Sequence, residues 1–520
     1  MSLRRRIEDI RRGQFDLLVI GGGILGAFVA LMGARAGYSV AVLERRDFAS
    51  GTSSGSGRVI HGGLRYLQRF DIPLMQEAQE EQASIARIAP KLVRPIRFLV
   101  PAEKESIPRN ARLRVAAWGW RAYRRLAGND LPLKKSEYLT SETTSQDISW
   151  LERIGEPAAL AYSDLQLRSP ERLVVALLRQ AASEGAKIAN YAEVTGFEMR
   201  GHRVRGVTVR DATNGARFSV ASRMVVSAAG AWTPELESQV GGRNLAKTRF
   251  ARGTHAVLDR PEPDVALALP VVEGGGTSDH HEPSARRVFI MPWEGRTLFG
   301  ATYSPVGGAP DRCRPDVAEV RGLMETVDEQ WPDLALRQSK ILYTYSGLYP
   351  IFDAQKLSHG GFTASLHPRV VDHQEADGIS GLVSAVSVKF TTARALAKQV
   401  MRIVDRRLVG SWSGGSTADA IGPLEYAQPT PISGIERVSE KLLDDRDTME
   451  RMVAVAAEKE MALTLEDLLF RRTWIGQLGR PDAPWLKQIT SWMASRRNWT
   501  ARRTDRELAS LESRYDWRAA

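Results

Sequence analysis

Phe15-Asp-Leu-Leu-Val-Ile-Gly-Gly-Gly-Ile-Leu-Gly-Ala-Phe-Val-Ala30, continuing to Val40-Ala-Val-Leu-Glu44, is the stretch that decides the fold. Leu17 to Ile20 is a short apolar run without alternation, the pattern of a parallel strand buried on both faces. Gly21, Gly23 and Gly26 then form G-x-G-x-x-G, and the apolar run Ala27 to Ala34 reads as a helix stopped by Gly37. Ser39 to Leu43 reads as the next strand. The first glycine allows a tight turn, the second lets backbone approach a pyrophosphate, and the third lets helix and strand pack closely. Phosphates would rest on the positive end of the helix, where free N–H groups point at them. Glu44 closes the second strand about twenty residues on, placed to accept hydrogen bonds from an adenosine ribose. A motif that follows a strand, opens a helix and ends on an acid reads as a dinucleotide site. The acid at that strand end disfavours a 2′-phosphorylated dinucleotide.

A chain of 520 residues has room for two or three domains around a large core. No run approaches the ~18–20 apolar residues of a membrane-spanning helix. A signal peptide is not expected, because the apolar stretch after Arg4-Arg5-Arg6 and Arg11-Arg12 is the nucleotide-binding strand itself. Cys313 is the only cysteine, so an intrachain disulfide or thiolate metal cluster is excluded and a reducing, cytoplasmic setting is expected. The formal charge of +11, carried mainly by arginine, suits acidic partners or reflects a solvated arginine-rich surface. The arginines form no recognised motif or stripe, so no nucleic-acid partner is expected.

Beyond Glu44, Arg45 leads into Thr52-Ser53-Ser54, a small hydroxyl-rich loop able to wrap a ligand with backbone N–H groups. Arg58-Val-Ile-His-Gly-Gly-Leu-Arg-Tyr-Leu67 follows, concentrating His61, Arg65 and Tyr66 beside Gly62 and Gly63. Ile72 to Ala89 is helical by pattern. Arg109 to Leu126 is basic and aromatic: an interfacial helix on anionic lipid, or an ordinary helix with core tryptophans. Ser169-Pro170 starts a helix well. Strand-like pieces follow at Lys187–Tyr191, Val204–Arg210 and Phe218–Val220. Met224-Val-Val-Ser-Ala-Ala229-Gly230-Ala-Trp232 then reads as a strand returning to the nucleotide-binding sheet. From Thr248 to about Pro350 the pattern is β-rich, the substrate side. His280-His281 sits in a Gly/Ser loop where a metal site is not expected. Leu382 to Arg394 is a strand ending in the polar turn Lys389-Phe390-Thr391-Thr392, where α/β sheets bind ligands, although Thr392 could serve only as a helix cap. Arg394 is expected as a helix surface charge. After a Gly/Ser linker, Thr464-Leu-Glu-Asp467 opens a helical tail like a capping box.

In order along the chain, several motifs carry a resemblance. They are Gly21-Gly-Gly-Ile24-Leu-Gly26, Thr52-Ser-Ser with Ile60-His-Gly-Gly-Leu-Arg-Tyr-Leu67, and Val225-Val-Ser-Ala-Ala-Gly-Ala-Trp232. Then come Arg252-Gly-Thr-His255, Tyr343-Thr-Tyr-Ser-Gly347, Lys389-Phe-Thr-Thr392 and Glu466-Asp-Leu-Leu-Phe-Arg-Arg-Thr473. With these the whole chain resembles the FAD-dependent glycerol-3-phosphate dehydrogenase family. The resemblance implies an α/β protein with a Rossmann-like FAD-binding domain of the glutathione-reductase type, a β-rich substrate domain and a helical C-terminal domain. The expected division is 15–80, 160–235 and 375–410 for FAD, 81–159 and 236–374 for the cap, and 411–520 for the helical part. It implies FAD in the nucleotide site, an anionic small-molecule substrate, electrons passed to quinone or oxygen, and a peripheral contact with the inner face of the membrane. A homodimer stays open. The chain departs from the family at Tyr349, where an arginine is expected, and at Val388 and Leu25; losing a guanidinium there removes a bidentate anion clamp.

The expected chemistry is hydride transfer from an alcohol (or amine) carbon to flavin, with the heteroatom proton taken by a base. His255 and His61 are the base candidates, because histidine titrates near neutral pH. Lys389 is expected to stabilise negative charge at the flavin, with Arg65, Tyr66, Tyr349 and Thr391 forming the substrate pocket. The cofactor set is Gly21, Gly23, Ile24, Gly26, Glu44, Arg45, Thr52, Ser53, Ser54, Gly62, Gly63, Ala229, Gly230, Trp232, Lys389, Phe390, Thr391 and Thr392. Two alternatives remain: the same frame acting on another hydroxy or amino compound, and a flavin-binding membrane-surface protein without turnover.

Overall fold

The computed structural model describes residues 2–67, 71–101, 114–115, 117–121, 131–139, 159–261, 263–271, 287–352, 365, 367–409, 421–425 and 445–516. His280-His281, the Gly/Ser linker after 409 and most of the basic aromatic segment lie outside the described residues.

Strand Gln14–Ile20 sits at the centre of the first sheet, with Arg217–Ser227 and Val40–Leu43 parallel on either side. Lys187–Ala189 and Leu382–Val386 extend it in parallel, and Arg369–Asp372 closes one edge antiparallel. Leu17, Leu18 and Val19 are fully buried, as expected of a strand covered on both faces. Helix Ile24–Arg35 is buried along nearly its whole length, wedged against helices Pro170–Ser183 and Ala393–Val409. Each large apolar side chain sequestered there contributes about 1.5–3 kcal/mol. Ser169 accepts the Arg172 N–H at 3.2 Å, so the Ser-Pro start is a true cap.

Two short expected pieces, Phe218–Val220 and the strand from Met224, are one element, Arg217–Ser227. Its first half pairs antiparallel with Arg203–Asp211, and its second half pairs parallel with the Rossmann strand. Ser222-Arg223 lies between them, where the strand passes from the antiparallel to the parallel pairing.

The second sheet is built on Arg249–Leu258, flanked antiparallel by Ile341–Ile351, Arg296–Gly300 and Ser304–Val306. It continues through Arg287–Trp293, Ala266–Pro270, Val93–Pro101 and Ala159–Leu167 to Val59–Ile60. Sheet membership thus departs from the expected division: 159–167 and 59–60 belong to this second sheet, and 369–372 to the first.

In the C-terminal region, Asp467 accepts the Thr464 N–H at 3.1 Å and donates its own N–H to Thr464 Oγ1 at 3.0 Å, the reciprocal capping box. It opens a short π-helical turn, Asp467–Arg472, rather than a long helix. Helices Arg446–Lys459, Ala483–Arg497 and Ala501–Ser513 pack around it.

Arginines are not confined to the surface. Arg58, Arg172 and Arg472 are among the largest fully buried side chains. Arg394, expected on a helix surface, is instead buried, its Nη2 donating to Glu81 and Ser84, each at 2.8 Å. Helix Ile72–Ile88 covers the face that helical periodicity alone would have given to solvent.

Candidate active site

Close packing makes the glycine turn. Gly21 has φ +105°, and a Cβ there would lie 2.6 Å from the Ala228 carbonyl oxygen. A Cβ at Gly26 would lie 1.9 Å from the Gly21 carbonyl oxygen, so only glycine lets helix and strand approach this closely. Gly22 N–H donates to Glu44 Oε2 at 2.7 Å and Arg46 N–H to Glu44 Oε1 at 2.8 Å. Burial pushes the Glu44 carboxyl above its ordinary range, and these two bonds oppose it. Ser53 Oγ accepts the Ile24 N–H at 3.0 Å, occupying a first-turn donor. Ser54 Oγ donates to the Gly51 carbonyl at 3.0 Å. Arg45 lies 4.2 Å over the Trp232 ring and pairs with Asp311. Burial would raise the Asp311 carboxyl, but the bond and charge from Arg45, with Arg46, hold it low. Gly230, with φ +58°, turns the chain between Ala229 and Trp232.

From this end the loop at 51–57 runs to the second sheet. Thr52 Oγ1 accepts the Leu348 N–H at 3.2 Å, and a Cβ at Gly55 would lie 2.3 Å from the Ser346 carbonyl. At the end of the loop, a Cβ on Gly57 would lie 3.3 Å from His255 Nε2. His255 faces Tyr345 across paired strands, the rings stacked at 5.1 Å and 13°. His255 is 3% exposed, and its Nδ1 is buried with no hydrogen-bond partner. Burial, and then the Arg58 charge, push its pKa down to about 3. This corrects the expectation that His255 titrates near neutrality: the imidazole is uncharged throughout the physiological range. Tyr349 packs on Gly253 and lies 5.0 Å from Tyr303; burial alone raises its hydroxyl to about 12.

A second cluster joins His61, Tyr66 and Lys389. The His61 and Tyr66 rings meet edge to face at 5.8 Å, and Lys389 Nζ lies 4.3 Å over the Tyr66 ring. Glu77 faces this lysine; burial raises its carboxyl and Lys389 opposes the rise. Gly62 N–H donates to Asp164 Oδ1 at 2.8 Å, and Gln82 Nε2 donates to the same oxygen at 2.9 Å. The Gly62-Gly63 turn is therefore fixed from behind, and the Gly62 donor is already spent on a buried carboxylate. Thr391 and Thr392 are buried, and Thr391 Oγ1 has no hydrogen-bond partner. Phe390 packs on the main core beside them. The backbone of Arg65 belongs to the short helix Leu64–Leu67, and its side chain lies outside the described residues.

FAD fits these residues. Ser227 Oγ, Thr391 Oγ1 and His255 Nδ1 are buried polar atoms without partners in the protein. Each would cost about 1–3 kcal/mol if nothing met it. They follow the same path as the glycine cradle, from the carboxyl end of the parallel strands toward the second sheet. Residues 16–399 match the family model described as FAD dependent oxidoreductase. The chain belongs to that family. Among similar proteins, the glycerol-3-phosphate dehydrogenase of Synechocystis sp. is 27% identical over 560 residues, covering 97% of each chain. The structure of the Bacillus halodurans glycerol-3-phosphate dehydrogenase complexed with FAD superposes with a TM-score of 0.69 at 20% identity, covering 98% of this chain and 96% of that one. Glycine oxidase from Geobacillus kaustophilus shares the fold more loosely, with a TM-score of 0.53 at 21% identity over 76% of this chain and 95% of that one.

In this FAD-dependent oxidoreductase Glu44 is bonded to the glycine turn and Arg45 packs on Trp232, while the Thr52 loop reaches the second sheet. Sequence reasoning missed Arg58, Tyr345, Glu77 and the Gln82–Asp164 pair. Arg58 lay within a motif already quoted, but neighbouring residues gave no sign that its charge is buried.

Proposed function

We propose that the enzyme oxidises a secondary alcohol of a small anionic substrate to the ketone, with sn-glycerol 3-phosphate giving dihydroxyacetone phosphate as the reference reaction. The observation that carries this is His255: a buried, uncharged imidazole with an unpartnered Nδ1 where the cofactor loop meets the second sheet. Bound FAD supplies the two-electron acceptor for the hydride that leaves the alcohol carbon. His255 takes the hydroxyl proton as the C=O bond forms. His61 stands beside Tyr66 as the alternative acceptor. Lys389, with Arg65, holds the substrate's negative charge, and Tyr66 and Thr391 line the pocket. The electron pair would be handed on from the cofactor to quinone or another acceptor. Anaerobic mixing with sn-glycerol 3-phosphate should bleach the flavin; a holoenzyme that stays yellow at saturating substrate overturns this reaction.

A second reading has its own support. Tyr349 packs on Gly253 and pairs with the Tyr303 ring, and burial raises the Tyr349 hydroxyl to about 12. That wall favours a hydroxy or amino compound whose far end is uncharged, which a substrate panel read by flavin reduction would identify.

No helix among the described residues is long and apolar enough to cross a membrane. Within the basic aromatic segment, Trp120 is buried, whereas Trp118 is 72% and Val115 69% exposed, between exposed Arg114 and Arg121. Trp120 therefore belongs to the core. Trp118, Val115 and the two arginines are the surface we assign to anionic lipid, tested by co-sedimentation with anionic vesicles.

A further inference from the structure

The C-terminal region reaches back to the loop beneath His255. Arg58 follows Gly57, has φ +57°, and is 1% exposed. A guanidinium buried this deeply costs several kcal/mol unless its surroundings meet it. Here Trp293 lies 4.5 Å and Tyr345 5.3 Å from it across their ring faces. Nη1 donates to the Arg168 carbonyl at 2.9 Å, Nη2 donates to Gln477 Oε1, and the Glu171 carboxylate lies 3.6 Å away. Gln477 is itself held, its Nε2 donating to the Phe470 carbonyl at 2.7 Å and to Glu171 Oε1 at 3.2 Å. Tyr345 is the ring that stacks on His255. A continuous series of contacts, Gln477 to Arg58 to Tyr345 to His255, therefore links the C-terminal region to the imidazole.

Given His255 as the proton acceptor above, we propose that Arg58 is a positioning residue for it. The guanidinium, packed on Tyr345 and anchored through Gln477, fixes the stacked ring and disfavours a charged imidazole in the resting site. The physical reason is charge repulsion in a water-poor setting: a fixed cation disfavours a second cation beside it. Burial acts on His255 in the same direction and more strongly, with the Arg58 charge adding to it. Tyr345, raised to about 12 by burial, stays neutral, and Glu171 is paired to Arg58 and bonded to Ser169 and Gln477. The same repulsion speeds release of the proton once taken, resetting the site.

The test follows the His255 ring signal by NMR in FAD-loaded, histidine-labelled protein, assigned with His255→Gln. It needs no substrate, so it stands apart from the alcohol-oxidation reading. In the wild type His255 should stay neutral from about pH 8 to about pH 5. In Arg58→Gln its protonated fraction at the lower limit should rise about tenfold or more, and Arg58→Lys should restore wild-type behaviour. A variant with a lowered Tm but an unchanged His255 signal overturns the proposal, leaving Arg58 a packing residue. If Arg58→Gln does not fold, Gln477→Leu keeps the charge but frees it from its anchor. Its His255 signal should move the same way by less, and an unmoved signal overturns the proposal.

Discussion

The two ends of the cofactor path are built on opposite plans. At the end we assign to the adenosine, Glu44 is paired with Gly22 and Arg46, Ser53 with Ile24, and Arg45 with Asp311. Behind it Asp47 is fully buried, with Arg472 donating to both carboxylate oxygens at 2.8 Å and Arg471 to one at 2.7 Å. At the end we assign to the reaction, His255 Nδ1 and Thr391 Oγ1 are left without partners. Internal pairing fixes the shape of one end before any ligand arrives, whereas the unpartnered buried atoms of the other leave hydrogen-bonding capacity for a bound group.

The largest expected loss of stability separates the ends from the adenosine side. Arg472→Ala leaves the Asp47 charge half-paired and should cost about 3–5 kcal/mol in denaturant unfolding; an unchanged midpoint would show that this end does not need the C-terminal region. A pair of glycine substitutions sharpens the contrast. Gly26→Ala should cost about 1–3 kcal/mol and lose FAD on gel filtration. Gly57→Ala should keep FAD yet slow its reduction, because the new methyl meets His255; loss of FAD from both would erase the distinction. Acid should also weaken the fold in order. His255 is neutral when folded and charges when unfolded, so stability should fall below about pH 6.5 by up to about 1.4 kcal/mol per pH unit. Asp47, whose burial is outweighed by Arg472 and Arg471, has its pKa lowered; its contribution is present above the ordinary carboxylate range and lost as pH falls through the folded value. Urea midpoints of wild type and His255→Gln across that range check this; parallel slopes above the carboxylate range would contradict it. Smallest is Trp118→Ala, within about 0.5 kcal/mol in stability but with reduced pelleting on anionic vesicles.

The same contrast sets what the sequence could reveal. Gly21 to Glu44 was legible because its decisive contacts, Gly26 on the Gly21 carbonyl and Gly22 on Glu44, lie within one βαβ unit, where period and turn chemistry are local. The Ser-Pro cap and the Thr464 box were legible for the same reason. Arg58 was not, because its partners Trp293, Tyr345 and Gln477 are hundreds of residues away and its charge gave no hint of burial. Arg394 misled for a related reason, since Glu81 pairs with it from a distant helix. His255 was found by motif, but its depressed basicity comes from packing that no local pattern records. The strand from Arg217 to Ser227 was split in two because its polar centre mimics a turn.

Stopped-flow anaerobic reduction by sn-glycerol 3-phosphate, comparing wild type with His255→Gln at equal FAD content, tests most directly whether this is the reacting end. The wild type should bleach, and the variant should bleach about 10²–10⁴-fold more slowly with its flavin fully retained. Equal rates, or flavin lost from the variant, would contradict the division between a prepaired adenosine end and a reacting end built around His255.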